Sequence, residues 1–265
     1  LPLSPKEVAL FIKIQKILMS IFQDLLNDDF QTSAAFPYFK KEVQQYLDST
    51  IQELRLKSQL KSINYQKKEI ESQLLSLNSI YTDKSKKAPF NFIYYTHKNK
   101  DLLKQLDQLN QSISNIHNQY NRVRLGSGSV DSLFMLGATL TKTQNVWSTP
   151  TIKPILDAIN LCVCYSNDLF SLQKEIKLNQ EKKKITAMNK VFIYQSQGST
   201  LEDAIDKVQQ DYHDQYQQIY SMLQALPPLS EHEIIMVNIG LCWLNSNFIW
   251  SILSKRYPGV VADTH

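Results

Sequence analysis

Residues 159–175 read INLCVCYSNDLFSLQKE. The first half is apolar enough to be a buried helix. The same run then adds an amide, a carboxylate, a hydroxyl, a lysine and a second carboxylate. Asn167, Ser171 and Glu175 sit four apart twice over. On an α-helix each such step turns about 400° and rises about 6 Å, so the three share one face. An amide oxygen, a hydroxyl and a carboxylate are hard oxygen donors, the kind Mg²⁺ takes before completing its shell with water and substrate phosphate. Lys174, next to Glu175, could offer a cation to that phosphate. Polar residues at this spacing also decorate solvated helix faces. The apolar run ahead of them argues instead for a buried helix, whose polar groups need partners.

Working outward, the rest of the chain is helical in pattern. With 265 residues it can bury a substantial core in one or two domains. Glycine is scarce, at 6, and apolar residues recur three and four apart with no regularly spaced strands, so the expected class is all-α. The net charge of +4 is too weak to argue for nucleic acid and suits an anionic small molecule equally well. Cys162, Cys164 and Cys242 lack metal-ligand spacing and read as reduced, buried thiols of a cytoplasmic protein. No apolar run is expected to span a membrane, and the N-terminus has no signal pattern. The five histidines, His97, His117, His213, His232 and His265, lie among polar residues and read as surface.

Helices are expected over 5–27, from Tyr38 to about Lys57, and over about 130–141, 153–178, 189–197, 200–225 and 231–256. Ser199-Thr200, with Glu202 and Asp203 just after, and Ser230, in LPPLSEHE, supply N-caps. Residues 60–116 read as a helical hairpin around YTDKSKKAPFNF. Its second arm carries a heptad seam at Leu102, Leu106, Leu109, Ile113, Ile116 and Tyr120. Such a seam also allows a homodimer or other helix-mediated self-association.

NDLFSLQKE resembles the second metal motif of microbial class I terpene synthases: Asn or Asp, Asp, an aliphatic, any residue, Ser or Thr, three of any kind, then Glu. Two further stretches resemble that family in the right order. YNRVRLGSGSV (120–130) resembles its helix-break pattern, Tyr-x-x-x-Arg-x-x-(Thr/Ser/Asp)-Gly, and WSILSKRY (250–257) its C-terminal Trp, five residues, Arg-Tyr. The resemblance implies that Asn167, Ser171 and Glu175 hold metal, that Arg124 senses diphosphate, and that Ser127 links it to the effector Gly128. The effector's carbonyl would face the departing allylic carbon. Arg122 competes with Arg124, but the spacing to Tyr120 and Gly128 favours Arg124. Arg256 and Tyr257 would hydrogen-bond the diphosphate, joined by Lys174, and Trp250 would line the cavity with a cation-stabilising π face.

The family resemblance implies a single helical domain that uses three Mg²⁺ ions to ionise and cyclise a prenyl diphosphate, farnesyl or geranylgeranyl. It covers 117–257 well and 1–57 loosely. Two features depart from it. The 60–116 hairpin stands as an insertion where the family has a short connection. The family's first aspartate-rich motif has no good match: Asp28-Asp29 is followed by Thr32 at the fifth position and falls at a helix break. The alignment places that motif before Leu1, so the bundle is expected to be N-terminally incomplete, with Glu53 at a familiar glutamate position. The rival expectations are a catalytically incomplete fragment or prenyl-diphosphate-binding pseudoenzyme, and a helical interaction module built on the 102–120 seam. A trans-prenyltransferase is disfavoured, because such enzymes carry a second aspartate-rich motif.

Overall fold

The computed structural model describes residues 36–82, 89–182, 188–254 and 256–257. Among them every regular element is a helix: α1 (Phe36–Thr82), α2 (Pro89–Ser127), α3 (Val130–Leu140), α4 (Lys153–Lys182), α5 (Lys190–Ser196), α6 (Leu201–Gln224) and α7 (Glu231–Leu253). The fold is the all-α bundle expected of a class I terpene synthase. The helix expected over 5–27 and the Asp28-Asp29 pair lie outside the described residues.

Local chemistry explains several boundaries. The Thr200 hydroxyl accepts from the Asp203 N–H, and Ser230 and Glu233 form a reciprocal capping box. Asn189 caps α5 by accepting from the Val191 N–H at 2.9 Å. The first boundary differs from expectation. Instead of a helix ending near Lys57, α1 runs unbroken for 47 residues, about 70 Å. The two arms of the 60–116 stretch are continuations of α1 and α2, packed on each other. Along the seam Leu102, Ile113, Ile116 and Tyr120 are buried, with Leu106 and Leu109 half-buried. Asn64 and Lys67 of α1 also bond Ser196 at the end of α5, at 2.8 and 3.2 Å.

α4 is the central helix and touches α2, α3, α5, α6 and α7. One core forms on its first half, where Ile155, Leu156 and Ile159 meet Val43 and Leu47 of α1, Phe134 of α3 and Met236 of α7. A second forms on its later half, where Tyr165 and Leu172 meet Leu60, Ile113, Tyr120, Val191 and Val208.

α1 and α2 approach closely at Gly126. A Cβ there would stand 1.9 Å from Ser49 Oγ and 2.5 Å from Ser49 Cβ, and turning the Ser49 rotamer cannot move its Cβ away. Gly126→Ala is therefore expected to cost about 1–3 kcal/mol through overpacking, read as a lower urea midpoint. An unchanged midpoint would show that the helices can part freely.

Two expectations need correction, besides that of a buried Cys242, which is exposed while Cys162 and Cys164 are buried. His117 is not a surface residue: it packs on Tyr194 at 5.0 Å between ring centroids, and its Nδ1 is buried without a partner among the described residues. Burial, aided by Lys190, lowers its pKa. The second correction concerns membrane-length segments. α7 is long and apolar enough by length and composition to cross a membrane, because its polar residues past the first turn are uncharged Asn and Ser. In this fold it packs against α3 and α4.

Candidate active site

The break between α2 and α3 begins the site. Arg124 O still accepts from the Gly128 N–H at 2.8 Å, as in a helix. Ser129 then takes a left-handed conformation, φ 62°, and the helical ladder stops. Gly128 has no room for a side chain: a Cβ would meet Cys164 Sγ at 2.7 Å and Arg124 O at 3.0 Å. Its carbonyl accepts no hydrogen bond among the described residues. The neighbouring Ser127 Oγ is buried and likewise unpartnered. A helix interrupted in this way presents free backbone dipole to whatever occupies the space beside it.

Arg124 points from the last turn of α2 into a polar knot, whereas Arg122 is exposed. Its Nη2 pairs with Asp168 Oδ1 at 3.0 Å and lies 3.5 Å from Asn167 Oδ1, and its Nη1 lies 3.6 Å from Glu53. Nε is buried and has no partner. Burial works against the guanidinium charge, but Asp168, Tyr120, Cys164 and Glu53 together outweigh it and hold the pKa well above its ordinary value. Asp168 is almost fully buried and also accepts from the Tyr120 hydroxyl and, at 2.8 Å, from the Lys190 N–H. Burial raises its pKa against the pull of Arg124 and these donors.

Behind this knot Lys190 is enclosed. Its ammonium stands 4.1 Å from the Tyr165 ring centroid, with the Tyr120 and Tyr194 rings near, and pairs with Asp211 at 2.8 Å. Burial lowers its pKa, while Asp211 pulls the other way.

On the α4 face Ser171 donates to Glu175 Oε1 at 2.7 Å, and Asn189 Nδ2 donates to Glu175 Oε2 at 2.9 Å. Burial raises the Glu175 pKa against these two bonds. Asn167, two turns earlier, donates from Nδ2 to the Tyr257 hydroxyl at 2.7 Å. One carboxylate and two neutral oxygens on a single helix face fit a hard divalent cation that draws its other ligands from water and phosphate. Among the described residues no three His, Cys, Asp or Glu side chains gather at one point, so a cation held on this face would draw on the neutral oxygens as well.

Tyr257 is buried, stacked on Phe170 at 6.1 Å and edge-on to Trp250 at 6.2 Å. The Arg256 guanidinium lies 5.4 Å from the Trp250 ring. Trp250 itself is 45 % exposed. A cavity of about 570 Å³ brings together Arg124, Ser127, Gly128, Asn167, Trp250 and the Arg256-Tyr257 pair. Its remaining wall is largely apolar, with Val130, Leu133, Val163 and Trp243. Ser171 and Glu175 continue along α4 beyond it. Lys174 is the one candidate that stands apart, exposed and without a hydrogen bond or ion pair among the described residues.

Two participants were not singled out from the pattern. Asp168 lies one position, about 100°, off the Asn167 face. A carboxylate on an apolar helix demands a cationic partner, and that demand was the available signal. Asn189 was visible only as a polar residue before a short helix. Glu53 stood out by position, not as the second carboxylate on Arg124.

Residues 100–218 match the family described as "Terpene synthase family 2, C-terminal metal binding". The matched span holds the helix break, Arg124 and the whole Asn167–Glu175 face. No curated protein matches the chain.

Proposed function

We propose, since residues 100–218 match a terpene synthase family model, that the chain ionises a prenyl diphosphate with Mg²⁺ and cyclises the resulting cation. Farnesyl or geranylgeranyl diphosphate is the proposed substrate. The observation that carries this reading is one cavity in which Arg124, Asn167, Arg256 and Tyr257 stand together with the apolar Val130, Leu133, Val163, Trp243 and Trp250, beside the neutral polar Ser246 and Asn247.

In the proposed reaction the allylic C–O bond breaks heterolytically, and the electron pair leaves with the diphosphate. Mg²⁺ held by Asn167, Ser171 and Glu175 would neutralise charge on the leaving group. The unpartnered Arg124 Nε–H and the Arg256 guanidinium donate to diphosphate oxygens, and the Tyr257 hydroxyl adds a neutral donor. Asp168 and Glu53 hold Arg124 in place before substrate arrives, so little reorganisation is needed during the reaction. The free Gly128 carbonyl turns its negative end toward the allylic carbon. Trp250 and Trp243 offer π faces to the cation, and the apolar wall keeps water from it until a proton is lost or water is captured. No side-chain nucleophile is required.

A cytoplasmic site of action is part of the proposal, supported by the free thiols Cys162, Cys164 and Cys242. The test incubates the folded chain with geranyl, farnesyl and geranylgeranyl diphosphates and Mg²⁺, following diphosphate release and volatile products by mass spectrometry. Release with cyclic terpene products is expected. Tight substrate binding with no release from any of the three would establish a pseudoenzyme instead.

A further inference from the structure

The helix break needs something to hold it open. In an unbroken helix the Leu125 carbonyl would accept from the Ser129 N–H. Here the Ser129 N–H turns to Gly126 O at 3.4 Å, so the break frees the Leu125 carbonyl. A side chain from another helix takes the vacated place. Asn160 of α4, fully buried, donates from Nδ2 to Leu125 O at 2.8 Å and from the same nitrogen to Asp131 Oδ1 at 2.8 Å. Leu125 lies in the last turn of α2, before the break, and Asp131 in the first turn of α3, after it.

The far side of this bridge is anchored in turn. Asp131 Oδ2 faces Lys153 Nζ at 3.4 Å, and Lys153 also pairs with Asp157. One turn along α4, the Cys164 thiol reaches Arg124 O at 3.6 Å and packs where a Gly128 side chain would be. The Asn160 carboxamide oxygen receives that thiol at 3.5 Å.

We propose that Asn160 is a positioning residue for ionisation: by tying Leu125 to Asp131 across the break it fixes the direction of the Gly128 carbonyl. This rests on the proposed function, in which that carbonyl faces the allylic carbon. A primary amide is well suited to the task. Its two N–H bonds diverge from one nitrogen, so a single side chain reaches acceptors on both sides of the gap. Leucine of similar shape offers no donor, and an ionised aspartate would set a second carboxylate against Asp131.

The predicted signature separates positioning from general support. Asn160 touches none of the groups that would hold diphosphate, so ground-state binding is unaffected while ionisation slows. Asn160→Leu is expected to lower kcat for diphosphate release from farnesyl diphosphate at least tenfold. KM, and the Kd for inorganic diphosphate with Mg²⁺, stay within twofold of the parent. Asn160→Asp adds a second readout. At high pH both carboxylates repel. As pH falls one proton is shared between positions 160 and 131, and a bridging hydrogen bond returns. The charged groups around that pair are Lys153, Asp157 and Glu42, all unchanged in the variant. Its kcat relative to the parent enzyme therefore rises toward acid.

Circular dichroism and thermal melting establish folding for both variants, and the aspartate variant decides alone if the leucine variant does not fold. Unchanged kcat in a folded variant, parallel loss of kcat and diphosphate affinity, or a pH profile that tracks the parent would each overturn the proposal. If the parent chain releases diphosphate and the variants match it, only the Asn160 role falls. If the parent releases none from any prenyl diphosphate, the proposed function fails and takes this inference with it.

Discussion

Glu175→Gln is expected to lower Mg²⁺-dependent diphosphate release by about 10²–10³-fold while leaving helix content unchanged. The glutamine keeps the length of the side chain and an oxygen that can still accept from Ser171 or Asn189, the two groups now bonded to Glu175. What it removes is the one negative charge on the Asn167–Ser171–Glu175 face. Loss of charge weakens a metal site more than it weakens this corner of the fold, so raising the Mg²⁺ concentration should recover part of the rate. A purely structural role for Glu175 predicts no such recovery. Asn167→Ala is expected to act in the same direction, and it also strips the Tyr257 hydroxyl of its donor at 2.7 Å. Full activity in both variants at ordinary Mg²⁺ would remove this helix face from the mechanism.

The largest effect on stability is expected at Asp168. Asp168→Leu leaves Arg124 buried with only Glu53, at 3.6 Å, to answer its charge, and strands the Tyr120 hydroxyl and the Lys190 N–H. Breaking one side of a buried ion pair typically costs about 3–5 kcal/mol. For a chain of this size that corresponds to a fall in Tm on the order of 10 °C. The double variant Asp168→Leu/Arg124→Met should regain part of the loss, because the buried guanidinium is gone and the carboxylate it leaves behind, Glu53, is partly exposed. Thermal melts of the two variants side by side decide the matter, and a shift under about 2 °C for the single variant would mean that the pair contributes little.

Much of the fold was legible because helix ends in this chain are chemically marked. Thr200 and Ser230 cap α6 and α7, and the starts of both agree with the sequence pattern to within a residue. The beginning of the chain was harder. Between Tyr38 and Ala88 there is neither glycine nor proline, so nothing stops α1. Its polar middle nonetheless read as a change of element, because a narrow seam against one partner leaves most of the helix surface hydrophilic. The α4 site was half legible. Spacing of four identified the face that carries Asn167, Ser171 and Glu175. Spacing along one helix says nothing about what a neighbouring helix offers, so the Arg124–Asp168 pairing, Asn189 on Glu175 and Asn160 across the break required the packed structure.

The bond between Asn167 and Tyr257 joins positions 90 apart in the chain. It bears on the order in which the protein forms. α1 and α2 are neighbours in sequence and pair locally, and contacts of that kind form early in folding and during synthesis. The cavity is different: its walls run from Tyr46 to Tyr257. Arg124 and Asn167 can be placed while α7 is still being made, but the aromatic wall and the Arg256-Tyr257 pair arrive only with the last described segment. The cavity is therefore walled only once α7 and the Arg256-Tyr257 pair are in place. A chain made only through α4 holds Arg124 and Asn167 but lacks Trp243, Trp250, Arg256 and Tyr257, so the proposed ionisation would have no aromatic wall around it.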